Sequence, residues 1–375
     1  MAPNNMPASL TSFIGRKRER AEVARLFSAS RLVTVLGPGG TGKTRLALQV
    51  ASDVMPEHPD GTWLVELAAL TDPSLVAPTA AAVLGVHEEP GTPIQTSLLE
   101  AVGAKRMLLV LDNCEHLVAG CATLAESLLR ACPHLKVLVT SQEGLGVSGE
   151  LLWRIPMLTA PDVRAGAPAT RESVSGFEAV RLFVERAVAA HPRFSLTDAN
   201  AGAVAAICAQ LDGIPLAIEL AAVRVKVLSP EQILARLKDR FQLLTGGSRT
   251  ALPRQQTLRA AVDWSHELLG DPERVLLRRL GAFTGGWTLE SAEEIAGYGD
   301  ISQGDVLDLM AHLVDKSLVS PRETGDGGVR YALLETIRVY AVERAVEGGE
   351  WTVLEERHAD HFLALAEHAA PELQG

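Results

Sequence analysis

The stretch GPGGTGKT, residues 37–44, restricts the fold of this 375-residue chain more than any other feature. It lies between the apolar run RLVTV and the helix-like run RLALQV. Glycines let a backbone curl so that successive N–H groups point at one anion, and a following helix presents its positive end to that anion. The spacing G-x-x-x-x-G-K-[ST] therefore predicts a strand, a phosphate-binding P-loop and a helix.

Each residue type in this stretch has an expected contact with a nucleotide. Lys43 is long enough to reach the β- and γ-phosphates, and the Thr44 hydroxyl is a ligand for Mg²⁺. The predicted binding residues of this stretch are Gly37, Gly39, Gly40, Thr41, Gly42, Lys43, Thr44 and Arg45. The predicted cofactors are therefore ATP or ADP with Mg²⁺.

An acidic residue suited to the magnesium ion occurs in RMLLVLDNCEH, residues 106–116. Four apolar residues precede Asp112, which predicts that it ends a buried strand and shares the metal with Thr44. Many hydrolytic P-loop enzymes carry a second acid at the next position, where this chain has Asn113, which cannot act as a base. Glu115 is the nearest substitute, although the helix dipole also favours an acid at a helix start.

Short apolar runs alternate with helix-like segments over the first 160 residues. The apolar runs are residues 31–37, 62–67, 106–112, 135–141 and 151–156. The helix-like segments are residues 43–55, 73–85, 93–103 and 117–131. Four of the runs are nearly continuous, as is typical of strands buried on both faces of a parallel sheet. We therefore predict an α/β domain over residues 1–158.

Two further domains are predicted beyond a linker rich in Pro, Ala, Gly and Ser at residues 157–176. The pattern after it is helical and is broken once, at TGGSRTALP, residues 245–253. Two strand candidates, residues 317–320 and 329–334, follow the later helices, and this order indicates a winged helix. The predicted domains are a helical domain at 159–250 and a winged-helix domain with C-terminal helices at 251–375.

Composition and charge argue against several classes of partner. The net charge is −11, and residues 255–375 contain 22 acidic and 10 basic side chains. Duplex DNA requires clustered Lys and Arg, so we expect no direct DNA binding by this chain alone. The four cysteines lack metal-ligand spacing, and neither a signal peptide nor an apolar stretch of about 18 residues occurs. We expect a cytoplasmic protein without membrane contact.

Seven ordered segments together resemble one family, the STAND regulators (signal-transduction ATPases with numerous domains). The segments are SFIGRKRE, GPGGTGKTRLA, LVLDNCEHL, VLVTSQEGLGVSGE, LDGIPLAIELAA, RQQTLRAAVDWS and LLETIRVYA. The chain most resembles the bacterial AfsR-like and LuxR-linked group, relatives of the NB-ARC ATPases. The resemblance covers nearly the whole chain and implies a P-loop domain, a helical domain and a winged helix that folds back over the nucleotide.

The resemblance also implies nucleotide contacts outside the P-loop. Ile14, Gly15 and Arg16, with Phe13, resemble the hhGR motif that borders the adenine. Pro215 resembles the GxP proline that packs on the base. Each has a simpler alternative: Arg16 as a solvated charge within RKRER, and Pro215 as a residue that opens a helix.

The chain departs from the family pattern at two places. Gln142 stands where the family commonly has an arginine that senses the γ-phosphate, and glutamine brings no charge to a developing anion. Hydrolysis is therefore expected to be weak, with Arg16 or Arg45 supplying the cation. Leu333-Leu334-Glu335 replaces the Met-His-Asp of NB-ARC proteins, so any winged-helix lock must use other residues.

These observations predict an ATP/ADP-dependent signalling switch in transcriptional regulation, with Asp112, Glu115 and Gln142 as the catalytic candidates. Nucleotide exchange and slow hydrolysis would control interdomain closure and self-association in the ATP state. The alternatives are a P-loop phosphotransferase or kinase and an AAA+-type motor ATPase. The final segment, ERHADHFLALAEHAAPELQG, resembles the approach to a helical-repeat array. We therefore expect either a truncated chain, which we favour, or a minimal protein; in both cases the partners are other regulatory domains or proteins.

Overall fold

The computed structural model describes residues 2–8, 11–87, 91–162, 169–245, 256–325 and 327–374. It divides into two compact units, which are described separately. The first unit contains residues up to 159 together with 175–182, and the second contains 160–174 and the residues from 183 onward. Within the described ranges, none of the helices combines the length and apolar character that a bilayer crossing requires.

A five-stranded parallel sheet forms the centre of the first unit. Its strands are β1 (Leu32–Leu36), β2 (Thr62–Glu66), β3 (Leu108–Asp112), β4 (Lys136–Ser141) and β5 (Glu150–Arg154). The strand order is β2-β3-β4-β1-β5, and every neighbouring pair is parallel. The five predicted strands are confirmed to within two residues at each end, because nearly continuous apolar runs at this spacing suit a two-faced sheet.

Helices cover both faces of this sheet. They are α1 (Lys17–Leu26), α2 (Lys43–Val54), α3 (Val76–Val83), α4 (Ile94–Val102) and α5 (Val118–Ala131). Successive residues of β3 enter opposite cores: Leu109 and Leu111 pack with α3, α4 and α5, whereas Leu108 and Val110 pack with α1 and α2. This alternation follows from the two-residue period of a strand, and it explains why β3 carries no polar residue before Asp112.

The second unit begins with helices, as the sequence predicts. They are α6 (Arg171–Val174), α7 (Glu178–Ala190), α8 (Asp198–Gln210), α9 (Pro215–Val223), α10 (Pro230–Arg236) and α11 (Arg240–Leu243), with the first turns of α7 counted in the first unit. The short helix α6 lies inside the predicted linker, so that segment is not wholly irregular. The predicted break at 245–253 lies almost entirely outside the described residues.

The remaining elements form a winged helix. They are α12 (Leu258–Glu267), α13 (Asp271–Leu280), α14 (Leu289–Ala296), α15 (Gln303–Asp315), β6 (Val319–Glu323), β7 (Val329–Leu333), α16 (Glu335–Glu347) and α17 (Trp351–Gln374). β6 and β7 are antiparallel, which confirms the predicted hairpin. The first strand starts two residues later than predicted because Ser317, with φ 58°, turns the chain after α15. Phe283 and Trp287 stack at 5.2 Å in the core of this region.

The boundary at residue 250 between a helical and a winged-helix domain stays a prediction, since the two regions form one compact unit. All four cysteines are buried and free, as expected for thiols that serve in packing.

Candidate nucleotide-binding site

The GPGGTGKT stretch connects β1 to α2 at the carboxyl edge of the sheet. Gly39 and Gly40 form its turn, and Gly42 is the N-cap of α2 with φ 87°, a conformation that a side chain disfavours. A Cβ at Gly37 would lie 2.5 Å from Ile155, so this position also requires glycine. The hydroxyl of Thr41 donates to the Pro38 carbonyl at 2.8 Å. The first N–H groups of α2 have no intrahelical partner and provide donors for an anion.

Lys43 is the first residue of α2, and its ammonium lies within the loop. Nζ donates to the carbonyl oxygens of Gly37 at 2.7 Å and Pro38 at 3.2 Å. The side chain is buried, with 7% of the residue exposed. The positive charge is therefore held beside the loop that would surround a polyphosphate.

Asp112 connects three segments of the site. Its Oδ1 accepts hydrogen bonds from the hydroxyls of Thr44, at 2.7 Å, and Thr140, at 2.6 Å. The pairing of β3 with β4 brings Thr140 to this position. Burial raises the pKa of Asp112, and the hydrogen bonds from Thr140 and Thr44 oppose that rise.

Thr44 and Asp112 provide the oxygen ligands that Mg²⁺ prefers. This ion is commonly bound by one or two protein oxygens together with the phosphates of the substrate. Among the described residues, no cluster of three or more His, Cys, Asp and Glu forms a metal site without such a substrate. The pair therefore fits a magnesium ion that arrives with a nucleotide.

Asn113 and Glu115 lie together beside Asp112 and are both buried. Asn113 adopts φ 65°, and its backbone N–H donates to the Thr140 hydroxyl at 3.0 Å. Its side-chain amide donates to Glu115 Oε1 at 3.4 Å, whereas the buried Glu115 Oε2 has no hydrogen-bond partner among the described residues. Gln142, 2% exposed, directly follows the last residue of β4. The catalytic candidates thus lie at the ends of two adjacent strands.

The Ile14–Arg16 turn lies against the P-loop. Arg16 is 4% exposed, so it is not the solvated charge that the run RKRER allowed. Its Nη2 donates to the Thr41 carbonyl at 2.9 Å, and its Nη1 is buried without a hydrogen-bond partner in the described residues. Burial lowers the pKa of this guanidinium, while Glu19 and Glu178 raise it.

Glu178 fixes the backbone of this turn. Its Oε1 accepts the N–H of Arg16 at 2.6 Å, and Arg16 itself has φ 57°. A Cβ at Gly15, which has φ 70°, would lie 2.2 Å from the same oxygen. The left-handed backbone at position 15 therefore favours glycine, and a side chain there would displace the Glu178 carboxylate.

The structure does not bring every predicted residue to the loop. Arg45 is directed to the N-terminal segment, where Nη2 donates to the Thr11 hydroxyl at 2.9 Å and the Ser12 carbonyl at 2.8 Å. Arg16 donates to the P-loop at the Thr41 carbonyl, and a contact of Arg45 with nucleotide stays a prediction. Pro215 is the first residue of α9 in the second unit, where it opens the helix, and its contact with a base remains a proposal.

Sequence reasoning missed two residues that organise the site, Thr140 and Glu178. The position of Thr140 at the end of the apolar run LKVLVTS was a usable signal, because polar residues there reach the carboxyl edge of a parallel sheet. Glu178 gave no signal, since it lies 162 residues from Arg16 and beyond the linker.

Comparison with known proteins identifies the family. A family model described as a winged helix-turn-helix domain matches residues 269–345. The chain is 47% identical over 341 residues to an HTH-type transcriptional regulator of Mycobacterium tuberculosis, Rv0890c; the match covers 91% of this chain and 36% of that protein. It is 42% identical over 354 residues to an uncharacterized protein of the same species, Rv0894, covering 94% and 86%.

The regulatory protein AfsR of Streptomyces griseus is 28% identical over 389 residues, covering 98% of this chain and 36% of AfsR. The chain therefore spans about a third of the length of two of these three relatives and most of the third. It belongs to the same family as Rv0894 and Rv0890c, and it is similar to AfsR over nearly its whole length.

Among solved structures, a Walker-type ATPase of Pyrococcus abyssi aligns over 88% of this chain and 96% of its own with a TM-score of 0.54. The sequence identity is 13%, so this likeness concerns the fold alone.

Replacing Asp112 with Asn tests how much the burial of this carboxylate destabilises the folded protein. A raised pKa means that the folded state binds the proton more tightly than the unfolded state, so stability is lost as pH rises through the folded pKa. Without nucleotide at pH 7.5, we expect Asp112→Asn to have a higher melting temperature than the wild type. Each kcal/mol of destabilisation that the substitution removes should raise the melting temperature by about 2–4 °C. The difference should shrink toward pH 4, and a wild type that melts higher at pH 7.5 would contradict this account. Added Mg²⁺ and nucleotide should stabilise the wild type more than the variant.

Removing the Glu178 carboxylate tests the Arg16 turn. We expect Glu178→Ala to weaken nucleotide binding about fivefold to tenfold, because one hydrogen bond that positions Arg16 is lost. Glu178→Gln keeps an acceptor and should bind nearly as the wild type does, and Glu22→Ala, at an exposed position of α1, is the matched control. Titration by fluorescent nucleotide measures each affinity, and equal affinities in all four proteins would exclude this role for Glu178.

Proposed function

We propose that this chain is a nucleotide-controlled switch of a transcriptional regulator. In the ADP state the domains are closed; exchange for ATP opens them and exposes a surface for self-association or for other regulatory domains and proteins. The observation that carries this proposal is the Thr44–Asp112–Thr140 hydrogen-bond chain, because it joins the predicted metal ligands to both β3 and β4. A γ-phosphate with its Mg²⁺ would compete for the same carboxylate oxygen and so alter this chain.

The side chains around Asp112 favour slow hydrolysis. Asn113 cannot take a proton from water, and Gln142 brings no positive charge to the γ-phosphate. Glu115 is the available base, and its free buried oxygen supports that assignment. Arg16 is our candidate for the missing cation, since its guanidinium already contacts the P-loop. Slow turnover suits a switch, because the ATP state must persist long enough to act.

The energetic demand on such a switch is modest. To change the ratio of closed to open molecules from 1:99 to 99:1, the two nucleotides must differ in their relative affinity for the two states. The required difference is about 10⁴-fold, roughly 5.5 kcal/mol. A γ-phosphate and a metal ion reached by Lys43, Thr44 and Asp112 are of sufficient charge to supply this difference.

The assignment to transcriptional regulation rests on Rv0890c, whose name carries that function, and we propose that such a regulator acts in the cytoplasm. A kinase would need a co-substrate, and an AAA+-type motor would turn over quickly and respond to a polymer. The same assay of turnover separates both alternatives from a switch, which should release phosphate only slowly and retain its nucleotide.

The winged helix-turn-helix match makes DNA binding the second candidate function. The charge of α15 argues against it, since this helix carries Asp305, Asp308 and Asp315 and no Lys or Arg. In a helix-turn-helix the corresponding helix enters the major groove beside phosphates, which three carboxylates would repel. We propose instead that this domain contacts protein.

The central experiment identifies the nucleotide that the purified chain retains. We expect ADP or ATP on denaturation of the wild type and of Lys17→Ala, whose lysine lies exposed on α1. Lys43→Ala should lose about 100-fold in affinity, because two charge-assisted hydrogen bonds to phosphate are removed, and should release almost none. Small-angle scattering of the ADP-loaded and ATP-loaded wild type then tests closure. One unchanging radius of gyration in every state would reject the switch.

For DNA, we expect no gel shift of random-sequence or promoter-derived duplexes by the isolated chain at about 150 mM salt. The reason is the acidic surface of the winged helix, and the control is the same assay at 30 mM salt, where weak electrostatic binding is amplified. A sharp, salt-sensitive shift at physiological salt would make DNA binding the better reading of the winged helix.

A further inference from the structure

The turn before α9 is tied to the first turn of α16 within the second unit. Asp212 lies in this turn, is half-buried and has φ 54°. Its Oδ2 accepts the backbone N–H of Thr336 at 3.1 Å, although 124 residues separate the two. The N–H groups of a first helical turn have no intrahelical partner, so Asp212 serves as an N-cap supplied by a distant segment.

A group of charged side chains surrounds this contact. Arg240 is 6% exposed; its Nη1 donates to the Gln210 carbonyl at 3.2 Å, and its Nη2 lies 3.9 Å from Glu335. Glu335 in turn accepts two hydrogen bonds from Arg338, both of 2.8 Å. Burial raises the pKa of Asp212 to about 6, and the backbone N–H of Thr336 at the positive end of α16 opposes that rise. The charged and polar groups of residues 210–212 and 335–338 therefore interact as one cluster.

Both ends of this contact lie in segments that the sequence analysis singled out. Asp212 belongs to LDGIP, which contains Pro215, and Thr336 belongs to LLETIR, where the leucines cannot contact a phosphate. We propose that Asp212 is a latch that joins the turn at residues 211–215 to the first turn of α16, so that movement of one loosens the other. Its response to nucleotide rests on the proposed function and on the proposed contact of Pro215 with the base.

The latch controls only the start of α16. Farther along the helix, the Tyr340 hydroxyl donates to Asp263 at 2.7 Å, and its ring lies edge-on to Phe241 at 6.0 Å. These contacts do not involve Asp212. Loss of the latch should consequently fray residues 335–338 and leave the helix around Tyr340 protected, which provides an internal control.

Hydrogen exchange on the full chain tests the latch without nucleotide. Asp212→Gly removes the acceptor but permits the left-handed backbone, whereas Asp212→Asn keeps an acceptor oxygen and tolerates the same conformation. We expect amides of residues 335–338 to exchange about tenfold faster in Asp212→Gly and within about threefold of wild type in Asp212→Asn. Asp308→Asn, at an exposed position of α15, should match the wild type.

If the amides of residues 335–338 exchange in Asp212→Gly at the wild-type rate, the latch is overturned. Should that variant unfold, Asp212→Ser, whose hydroxyl is too short to reach Thr336, gives the same comparison. ADP should slow exchange at 335–338 in the wild type and not in Asp212→Gly; equal slowing in both overturns the coupling. A wild type that binds no nucleotide rejects the proposed function, while the nucleotide-free comparison still decides the latch.

Discussion

The Asp112 carboxylate is the group around which the candidate nucleotide site of the first unit is organised. It accepts hydrogen bonds from Thr44 in the P-loop helix and Thr140 on the adjacent strand, and it is almost fully buried. A buried charge is costly unless it is paired or hydrogen-bonded, so these two hydroxyls compensate part of that cost. A nucleotide-bound Mg²⁺ would compensate the rest. The site is thus less stable alone than it would be with its ligand, as is common where structure serves binding.

Burial also distinguishes the basic residues around the loop. Lys43 and Arg16 are both enclosed and directed at carbonyl oxygens of the P-loop, whereas Arg45 is directed away to the N-terminal segment. A guanidinium in a low-dielectric environment interacts more strongly with an anion than one in water. The enclosed guanidinium of Arg16 would therefore interact more strongly with a bound anion than that of Arg45 would.

In the second unit, buried charges are compensated in the same way at the start of α16. Asp212 and Arg240 are removed from water where α16 begins, and each faces a charge or dipole of opposite sign. The Thr336 backbone N–H and the Asp212 carboxylate join the LLETIR and LDGIP segments within this unit. The acidic helix α15 of the winged-helix region agrees with the proposal that this domain contacts proteins.

The sequence by itself determined the P-loop, the five strands, the winged-helix hairpin and the position of Asp112 at a strand end. These features depend on spacing within about ten residues, where glycine geometry and apolar periodicity act directly. Only the tertiary structure decided that Thr140, Glu178 and Asp212 complete the contacts, and that Arg45 bonds to the N-terminal segment. Glu178 and Asp212 bond to residues 162 and 124 positions away, so packing, which local patterns do not encode, selects them.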